Sequence, residues 1–136
     1  MRSTMPGDPS VTQQWHHNNT GQTGGTVDAD IDSDLAWDIT TGGTTATNDD
    51  IVVCLIESGY LDHQDLTGNR WFNQDEIENN SIDDDGNGYV DDYHGWNPQD
   101  NNDDYGNGGH GTNCLGMIGA KGNNGLNVVG ANWDVK

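Results

Sequence analysis

Apolar residues in this chain fall into a few short runs separated by long polar stretches. Residues 51–56 form an uninterrupted apolar run rich in β-branched side chains, which predicts a strand buried on both faces, as in a parallel sheet covered by helices. Residues 108–120 lead from a glycine-rich loop into a second apolar segment, which predicts a central helix with His110 at its N-terminus. The glycines within that segment are poor helix formers and indicate close packing against neighbouring backbone.

The regions that precede the apolar run are more polar. Asp34 is predicted to cap a short helix that ends at the turn in residues 40–43. Residues 1–26, rich in Gly, Thr, Asn and Gln, predict an arm that lies on the surface of the domain and is anchored by Trp15. Residues 27–136 then form the body of the domain, since no internal repeat and no linker interrupts them.

A long irregular region separates the two apolar segments. Residues 62–109 show almost no periodicity, and eleven acidic residues fall between positions 75 and 104. Irregular segments of this length are usually functional or disordered. Only 30% of the chain is hydrophobic, so the core is expected to be local or to be completed by something else.

The charge balance narrows the range of partners. The chain carries 23 acidic and 4 basic residues, a formal net charge of −19. This charge repels nucleic acid and anionic membranes and attracts cations, so we expect no nucleic-acid partner, no membrane partner, and either bound metal or a high-salt habitat. No apolar run is long enough to cross a bilayer, and residues 1–10 lack the apolar core of a signal peptide, so any leader is expected to lie outside this sequence.

Residues 83–92 place oxygen-bearing residues at alternate positions, a pattern typical of calcium-binding loops. The predicted ligands are Asp83, Asp85, Asn87, the carbonyl of Tyr89, and Asp91. Gly88 takes the sixth position, where such a loop turns sharply, but His94 replaces the usual glutamate at the twelfth and neither flank reads as a helix. Because repulsion among so many carboxylates opposes compact folding, we expect a bound Ca²⁺ rather than a solvated loop.

Two further residues are candidates for chemistry. Glu57 directly follows the apolar run, at the strand end where open α/β sheets place ligands and catalytic groups. A carboxylate there and the imidazole of His110 can form a pair in which the carboxylate fixes the tautomer of the ring. Spacing alone leaves open a solvated strand end for Glu57 and a structural or metal-binding role for His110. Cys54 and Cys114 are predicted to be buried free thiols, the latter one helical turn beyond His110.

Several stretches of the chain have counterparts in one known family. Residues 52–59 look like a strand that ends in a catalytic aspartate, residues 62–66 look like a His-Pro-Asp-Leu signature with Gln64 in place of proline, and residues 110–112 match a His-Gly-Thr motif. The other stretches are residues 15–25, 36–42 and 83–92, similar to segments of many secreted bacterial members. Together they resemble the subtilisin-like serine peptidases, the subtilases, over nearly the whole chain from Asp8.

That resemblance implies an α/β fold, a three-layer sandwich with a central parallel sheet, and a secreted, monomeric endopeptidase that cleaves polypeptides through Ser, His and Asp. His110 would be the general base and Glu57 would take the place of the orienting aspartate. A family calcium site would be formed by Asp8, Asp65 and Asn124, with carbonyls near residues 122, 126 and 128. This site would tie the N-terminal arm to the loop after the helix.

Two departures from the family pattern modify this expectation. Glu57 replaces aspartate, and its additional methylene moves the carboxylate by ~1.5 Å, a displacement of the size that can cost ~10²-fold in rate. The family's Gly-Thr-Ser segment and oxyanion-hole asparagine do not occur in these 136 residues. We therefore expect the N-terminal half of a catalytic domain that is inactive by itself. The alternative is a calcium-binding pseudoprotease or non-catalytic module, whereas a dockerin-like module would require a second calcium loop.

Overall fold

The computed structural model describes residues 4–136, in which regular secondary structure is sparse. A 3-10 helix spans Val11–Gln13, helix α1 spans Ser33–Ala36, and helix α2 spans Gly109–Gly119. The predicted helix behind His110 is therefore confirmed as α2. Among residues 4–136, no helix combines the length and the apolar character that a membrane crossing requires.

Helix α1 begins earlier than the sequence predicts. Asp32, which has a left-handed backbone with φ of 54°, precedes the helix, and Asp34 lies within its first turn. The side chain of Asp34 is buried and accepts a hydrogen bond of 2.6 Å from the Asn18 amide. The prediction that Asp34 caps this helix was wrong because its carboxylate is engaged in a contact with the N-terminal arm.

The apolar run at residues 51–56 does not form the doubly buried strand that its pattern predicts. Ile51, Val52 and Val53 are exposed, Ile56 is 98% exposed, and the thiol of Cys54 is exposed as well. Within residues 4–136, no other layer of structure covers this run, so its side chains stay in solvent. The predictions of a doubly buried strand and of a buried Cys54 thiol are therefore both wrong for this chain.

The backbone around this run nevertheless lies in an extended, paired arrangement. Ile51 accepts a hydrogen bond of 2.8 Å from the N–H of Lys136, and the carbonyl of Lys136 accepts one of 2.6 Å from Val53. On the other side, the N–H of Ile51 donates to Gly43 at 3.2 Å, and Gly42 forms an isolated parallel bridge with Asp134. These contacts are local bridges, and no continuous sheet forms within the described residues.

The buried core brings together the N-terminal arm, the residues after α1 and the segment that follows α2. Its apolar centre consists of Val11, Trp37, Val129 and Trp133, with the rings of the two tryptophans 5.2 Å apart. His17 is completely buried beside Trp37, with ring centres 4.8 Å apart. Distant parts of the chain therefore share one small core.

Hydrogen bonds fasten the arm to the segment after α2. The Gln14 amide donates to the Val129 carbonyl at 2.8 Å and accepts from the Val129 N–H at 2.9 Å. The two ring nitrogens of His17 contact the Ser33 hydroxyl at 2.9 Å and the Val129 carbonyl at 3.2 Å. Trp15, the predicted anchor, is instead about half exposed. Val11, Gln14 and His17 hold the arm in its place, and the prediction that Trp15 anchors it was wrong.

The buried His17 makes stability depend on pH. Burial, reinforced by the neighbouring His16, lowers the pKa of His17 from 6.5 to about 4. Between these values the unfolded chain binds a proton that the folded chain excludes, so the free energy of unfolding falls as the pH decreases from 6.5 towards 4. We expect an NMR titration of the His17 ring to give a pKa well below that of a free histidine, and His17→Asn to flatten the pH dependence of unfolding above pH 5. A His17 pKa near 6.5 would contradict this interpretation.

Candidate active site and metal-binding clusters

The structure brings His110 and Glu57 into contact. The Nδ1 atom of His110 lies 3.1 Å from Oε2 of Glu57, although the two residues are 53 positions apart. The histidine side chain is 81% exposed, so the face of the ring away from the glutamate is open to solvent. The sequence singled out both residues, and the tertiary structure places them side by side.

The carboxylate determines which nitrogen of the ring carries the proton. An ionised carboxylate only accepts hydrogen bonds, so a neutral His110 keeps its proton on Nδ1 and donates it to Glu57. The Nε2 atom then has a free lone pair and can accept a proton from a neighbouring hydroxyl. The carboxylate also stabilises the imidazolium that this transfer would create. The pair therefore has the chemistry of a general base with an orienting partner.

Glycines allow helix α2 to approach the segment that carries Glu57. A Cβ added at Gly111 would lie 2.6 Å from Cγ of Glu57 and closer still to the Ser58 carbonyl oxygen. A Cβ at Gly108 would lie 2.6 Å from the same oxygen. Close packing was predicted for Gly111, Gly116 and Gly119; Gly111 and Gly119 have it, whereas a Cβ at Gly116 would meet no atom within 4 Å, so the prediction was wrong there. The absence of side chains here brings the start of the helix within hydrogen-bond distance of Glu57.

Thr112 adds a polar connection between the same two segments. Its hydroxyl accepts a hydrogen bond of 2.7 Å from the N–H of Tyr60 and donates one of 2.9 Å to the Gly108 carbonyl. This side chain joins the first turn of α2 to the residues that follow Glu57.

The Sγ atom of Cys114 lies 3.8 Å from Nδ1 and 3.9 Å from Nε2 of His110. Cys114 is half-buried, so the prediction of a buried thiol holds only partly.

The acidic loop contains a cluster that can hold a cation. Carboxylate oxygens of Glu76, Asp83 and Asp85 all lie within 4.8 Å of one another. Glu76 is only 5% exposed; its Oε1 accepts hydrogen bonds from the backbone of Asp84 and Asp85, at 2.9 and 3.2 Å. Its Oε2 is buried and has no hydrogen-bond partner among residues 4–136. A buried carboxylate oxygen without a partner is costly, and a bound cation would satisfy it.

The other predicted ligands of this loop are arranged unequally. Asn87 lies within the cluster, since its amide donates to Asp85 at 3.0 Å and to Asp92 at 3.1 Å. Asp91 instead accepts backbone hydrogen bonds of 2.9 Å from residues 80 and 81. Tyr89 is exposed, and its ring packs against Trp96. The structure therefore places Asp83, Asp85 and Asn87 at the cluster, whereas the carboxylate of Asp91 is hydrogen-bonded to the backbone of residues 80 and 81.

Hydrogen bonding favours the ionised form of Asp85 in this cluster. Asn73 donates its side-chain amide to Asp85 at 2.9 Å, and this contact is the largest of the hydrogen bonds that lower the pKa of the Asp85 carboxyl. Asp83 accepts backbone hydrogen bonds from Asn87 at 3.0 Å and from Gly88 at 2.9 Å. No lysine or arginine among residues 4–136 forms an ion pair with Glu76, Asp83 or Asp85. The cluster is thus negatively charged and without a cationic side chain of its own.

The residues predicted for the second metal site include two buried carboxylates. Asp8 accepts the N–H groups of Asn123 at 2.8 Å and Gly125 at 3.0 Å. Asp65 accepts the Asn124 amide and the Val128 N–H, each at 3.3 Å. Asp8 and Asp65 are both almost completely buried. The structure therefore brings Asp8, Asp65 and Asn124 to the loop after α2, as the resemblance implies.

Sequence reasoning missed Glu76, Asn73 and Asp92. Glu76 precedes the alternating pattern by seven positions, and Asn73 lies farther still, so a motif read along the chain does not include them. Asp92 is next to the expected ligand Asp91 and occupies the space beside Asn87 in its place. The only available signal was the concentration of acidic residues from position 75 onwards.

Comparison with known proteins agrees with this geometry. Residues 48–136 match the family described as the subtilase family, peptidase S8. The matched region covers more than half of the chain and includes Glu57, His110 and the acidic loop. The chain therefore belongs to the subtilase family, for which an α/β fold is the common architecture.

Individual relatives cover different parts of the chain. Subtilisin-like protease 1 of Plasmodium berghei (strain Anka) is 40% identical over 92 residues, which are 65% of this chain and 15% of that protein. The protein of the same name from Plasmodium vivax is 41% identical over 91 residues, 62% of this chain and 14% of that protein. An extracellular basic protease of Dichelobacter nodosus is 31% identical over 148 aligned positions, 96% of this chain and 21% of that protein. The chain thus spans about a fifth or less of the length of these relatives.

The contact at Gly111 provides a test of how the pair is positioned. We expect Gly111→Ala to lower the free energy of unfolding by ~1–3 kcal/mol, because the new methyl group collides with Glu57 and Ser58. Gly116→Ala is the matched control in the same helix, since a Cβ there meets no atom within 4 Å. That control should be neutral or stabilise the protein by up to ~1 kcal/mol through helix propensity. Urea unfolding followed by circular dichroism measures both, and equal effects of the two variants would contradict the packing argument.

Proposed function

We propose that the protein is a serine endopeptidase that hydrolyses peptide bonds in polypeptides, with His110 as the general base and Glu57 as its orienting carboxylate. The observation that carries this proposal is the 3.1 Å contact between Nδ1 of His110 and Oε2 of Glu57, with the opposite face of the ring exposed. Membership in the subtilase family supports the same reaction.

In this proposal His110 moves protons at its Nε2 atom. The ring accepts the proton of a serine hydroxyl as that oxygen attacks the scissile carbonyl, and later gives it to the leaving amine. Glu57 holds the ring in the Nδ1-protonated form and stabilises it when it is charged. The serine and the oxyanion hole must come from outside residues 1–136, because no Gly-Thr-Ser segment occurs within them. These residues alone are therefore expected not to hydrolyse peptides.

We also propose that calcium binds to both acidic clusters. Glu76, Asp83, Asp85 and Asn87 offer the hard oxygen atoms that Ca²⁺ prefers, and the buried Oε2 of Glu76 lacks any other partner among the described residues. A second calcium ion would lie between the arm and the loop after α2, held by Asp8, Asp65 and Asn124. Calcium would act there as a structural ion that offsets the repulsion among carboxylates.

The remaining architecture is proposed from the family. The α/β fold would be a three-layer sandwich with a central parallel sheet, of which residues 27–136 form an N-terminal half and residues 1–26 a packed arm. The exposed apolar side chains of residues 51–56 support a further layer of protein over this segment. Secretion is supported by the name of the Dichelobacter relative, an extracellular basic protease. We propose a monomer without nucleic-acid or membrane partners, in keeping with the net charge of −19.

A second candidate function is a calcium-binding pseudoprotease. It is favoured by Glu57, since the family's usual carboxylate at this position is aspartate, and by the Glu76 cluster, which does not depend on catalysis. In that case the His110–Glu57 contact would be structural, and calcium binding would be the protein's main property.

Changing the carboxylate distinguishes the two functions. In the protein encoded by the complete reading frame, Glu57→Asp is expected to raise kcat by up to ~10²-fold, because the shorter side chain restores the family's spacing. His110→Ala is expected to lower kcat by ~10²-fold or more. Hydrolysis of a quenched fluorescent peptide and labelling by a fluorophosphonate measure both effects. A protein that neither cleaves peptides nor reacts with the fluorophosphonate, with Glu57 or with Asp, is a pseudoprotease.

Calcium binding is tested on the chain itself. We expect isothermal titration calorimetry to detect Ca²⁺ binding, and Glu76→Gln to weaken it roughly 10-fold or more by removing a buried charged ligand. Asp75→Asn is the matched control, because it removes a neighbouring carboxylate that is exposed and lies outside the cluster. Binding that is unchanged in Glu76→Gln, or no binding at millimolar Ca²⁺, would refute the proposed site.

A further inference from the structure

An acidic cavity lies between the segment after Glu57 and the loop before α2. It has a volume of about 270 Å³. Three tyrosines contribute to its wall: Tyr60, Tyr93 and Tyr105. The carboxylates that line it are Asp62, Glu78, Asp91, Asp103 and Asp104. Its size suits one side chain rather than a whole small-molecule ligand.

This acidic cavity adjoins the His110–Glu57 pair. Tyr60 lines the cavity and also lines a shallow groove along α2 formed with Gly109 and Thr112, which flank His110. The N–H of Tyr60 is hydrogen-bonded to the Thr112 hydroxyl at 2.7 Å, which fixes this shared wall. Gly106, four positions before His110, closes the other side of the cavity. A peptide lying along this groove would therefore pass the wall of the cavity at Tyr60.

Few positive charges offset the carboxylates of the cavity. Arg70 forms an ion pair with Asp62 and also contacts Nε2 of His94. Burial, followed by the nearby charge of Arg70, lowers the pKa of His94 and so favours its neutral form, although its Nε2 lies 3.7 Å from Oε1 of Glu78. Among residues 4–136, no lysine or arginine forms an ion pair with Glu78 or Asp103. The wall thus keeps a net negative charge after Asp62 has been paired.

The tyrosines distinguish this cavity from a metal site. The calcium-type cluster at Glu76 consists of carboxylates and amides, whereas much of the wall here is aromatic ring. No hydroxyl of Tyr60, Tyr93 or Tyr105 is hydrogen-bonded within the described residues, since their only hydrogen bonds involve the backbone. Aromatic walls suit the aliphatic stem of a long side chain, and ring faces together with carboxylates suit its cationic end.

We propose that this cavity is a specificity subsite that receives a lysine or arginine side chain of the polypeptide substrate. The inference rests on the proposed peptidase function, and it names the substrate class of that site. The substrate would carry the basic residue close to the scissile bond, because the cavity shares Tyr60 with the groove whose wall includes Gly109, the neighbour of His110.

Binding and cleavage are measured separately to test this inference. The protein from the complete reading frame is used, with His110→Ala to prevent hydrolysis during binding. The probes are dye-labelled polyalanine peptides in which one lysine, norleucine or glutamate is moved through each position in turn. Fluorescence anisotropy gives their affinities, and unmodified protein gives kcat/KM for the same peptides.

At one position we expect lysine to bind more tightly than norleucine, and glutamate to bind most weakly. The double variant Glu78→Gln/Asp103→Asn should reduce the lysine preference roughly two- to thirtyfold, because it removes two exposed ion pairs of about 0.2–1 kcal/mol each. Asp28→Asn/Asp50→Asn removes the same charge outside the cavity and should leave the preference unchanged. The preference should also weaken with added salt.

Several outcomes would overturn the inference. Equal affinities for lysine and norleucine at every position exclude a cationic subsite, and an equal effect of both double variants shows that only overall charge matters. Loss of the lysine preference on adding millimolar Ca²⁺, with the Glu76 site removed by Glu76→Gln, identifies a metal site instead. Cleavage without a lysine preference refutes the subsite but leaves the peptidase intact. Lysine-selective binding without cleavage of any peptide refutes the peptidase function alone.

Discussion

The close approach of helix α2 to residues 57–58 is the contact on which the candidate active site depends. Gly108 and Gly111 have no side chains, so the start of the helix meets the Ser58 carbonyl directly. A bulkier residue would push the helix away, and His110 would lose its 3.1 Å contact with Glu57. The closely packed backbone leaves no intermediate position for the helix. Hydrogen bonds weaken steeply with distance and misalignment, so a small displacement of the helix would break the contact between His110 and Glu57.

Charge is the second constraint on this molecule. A chain with a net charge of −19 and little apolar material gains limited stability from its core of tryptophans and valines. Its carboxylates are instead held by backbone N–H groups and side-chain amides, as at Asp8 and Asp65. Such hydrogen bonds satisfy individual oxygen atoms but do not neutralise the negative charge. The buried Oε2 of Glu76, which has no hydrogen-bond partner among residues 4–136, therefore favours binding of a cation.

The acidic loop and the acidic cavity lie in the irregular stretch of chain between the two residues of the candidate catalytic pair, Glu57 and His110. Tyr60 is shared by the cavity and the groove beside His110, while Glu78 and Asp91 lie in the same stretch as the calcium-type cluster. An ion bound at Glu76, Asp83 and Asp85 would therefore also restrict the wall of the cavity. Functional residues on long loops need a rigid scaffold to position them. Here helix α2 and the proposed calcium ion would position the loop residues.

The sequence by itself determined the features that are local along the chain. These are the helix behind His110, the carboxylate after the apolar run, the acidic loop and the family resemblance, because each depends on neighbouring residues. Only the tertiary structure decided that the Glu76 carboxylate lies beside that of Asp83, whereas Asp91 is hydrogen-bonded to other backbone. It also decided that His17 rather than Trp15 is buried, and that most side chains of residues 51–56 remain exposed. Those outcomes depend on contacts between residues far apart in the chain, and burial follows from which surfaces meet rather than from hydrophobicity alone.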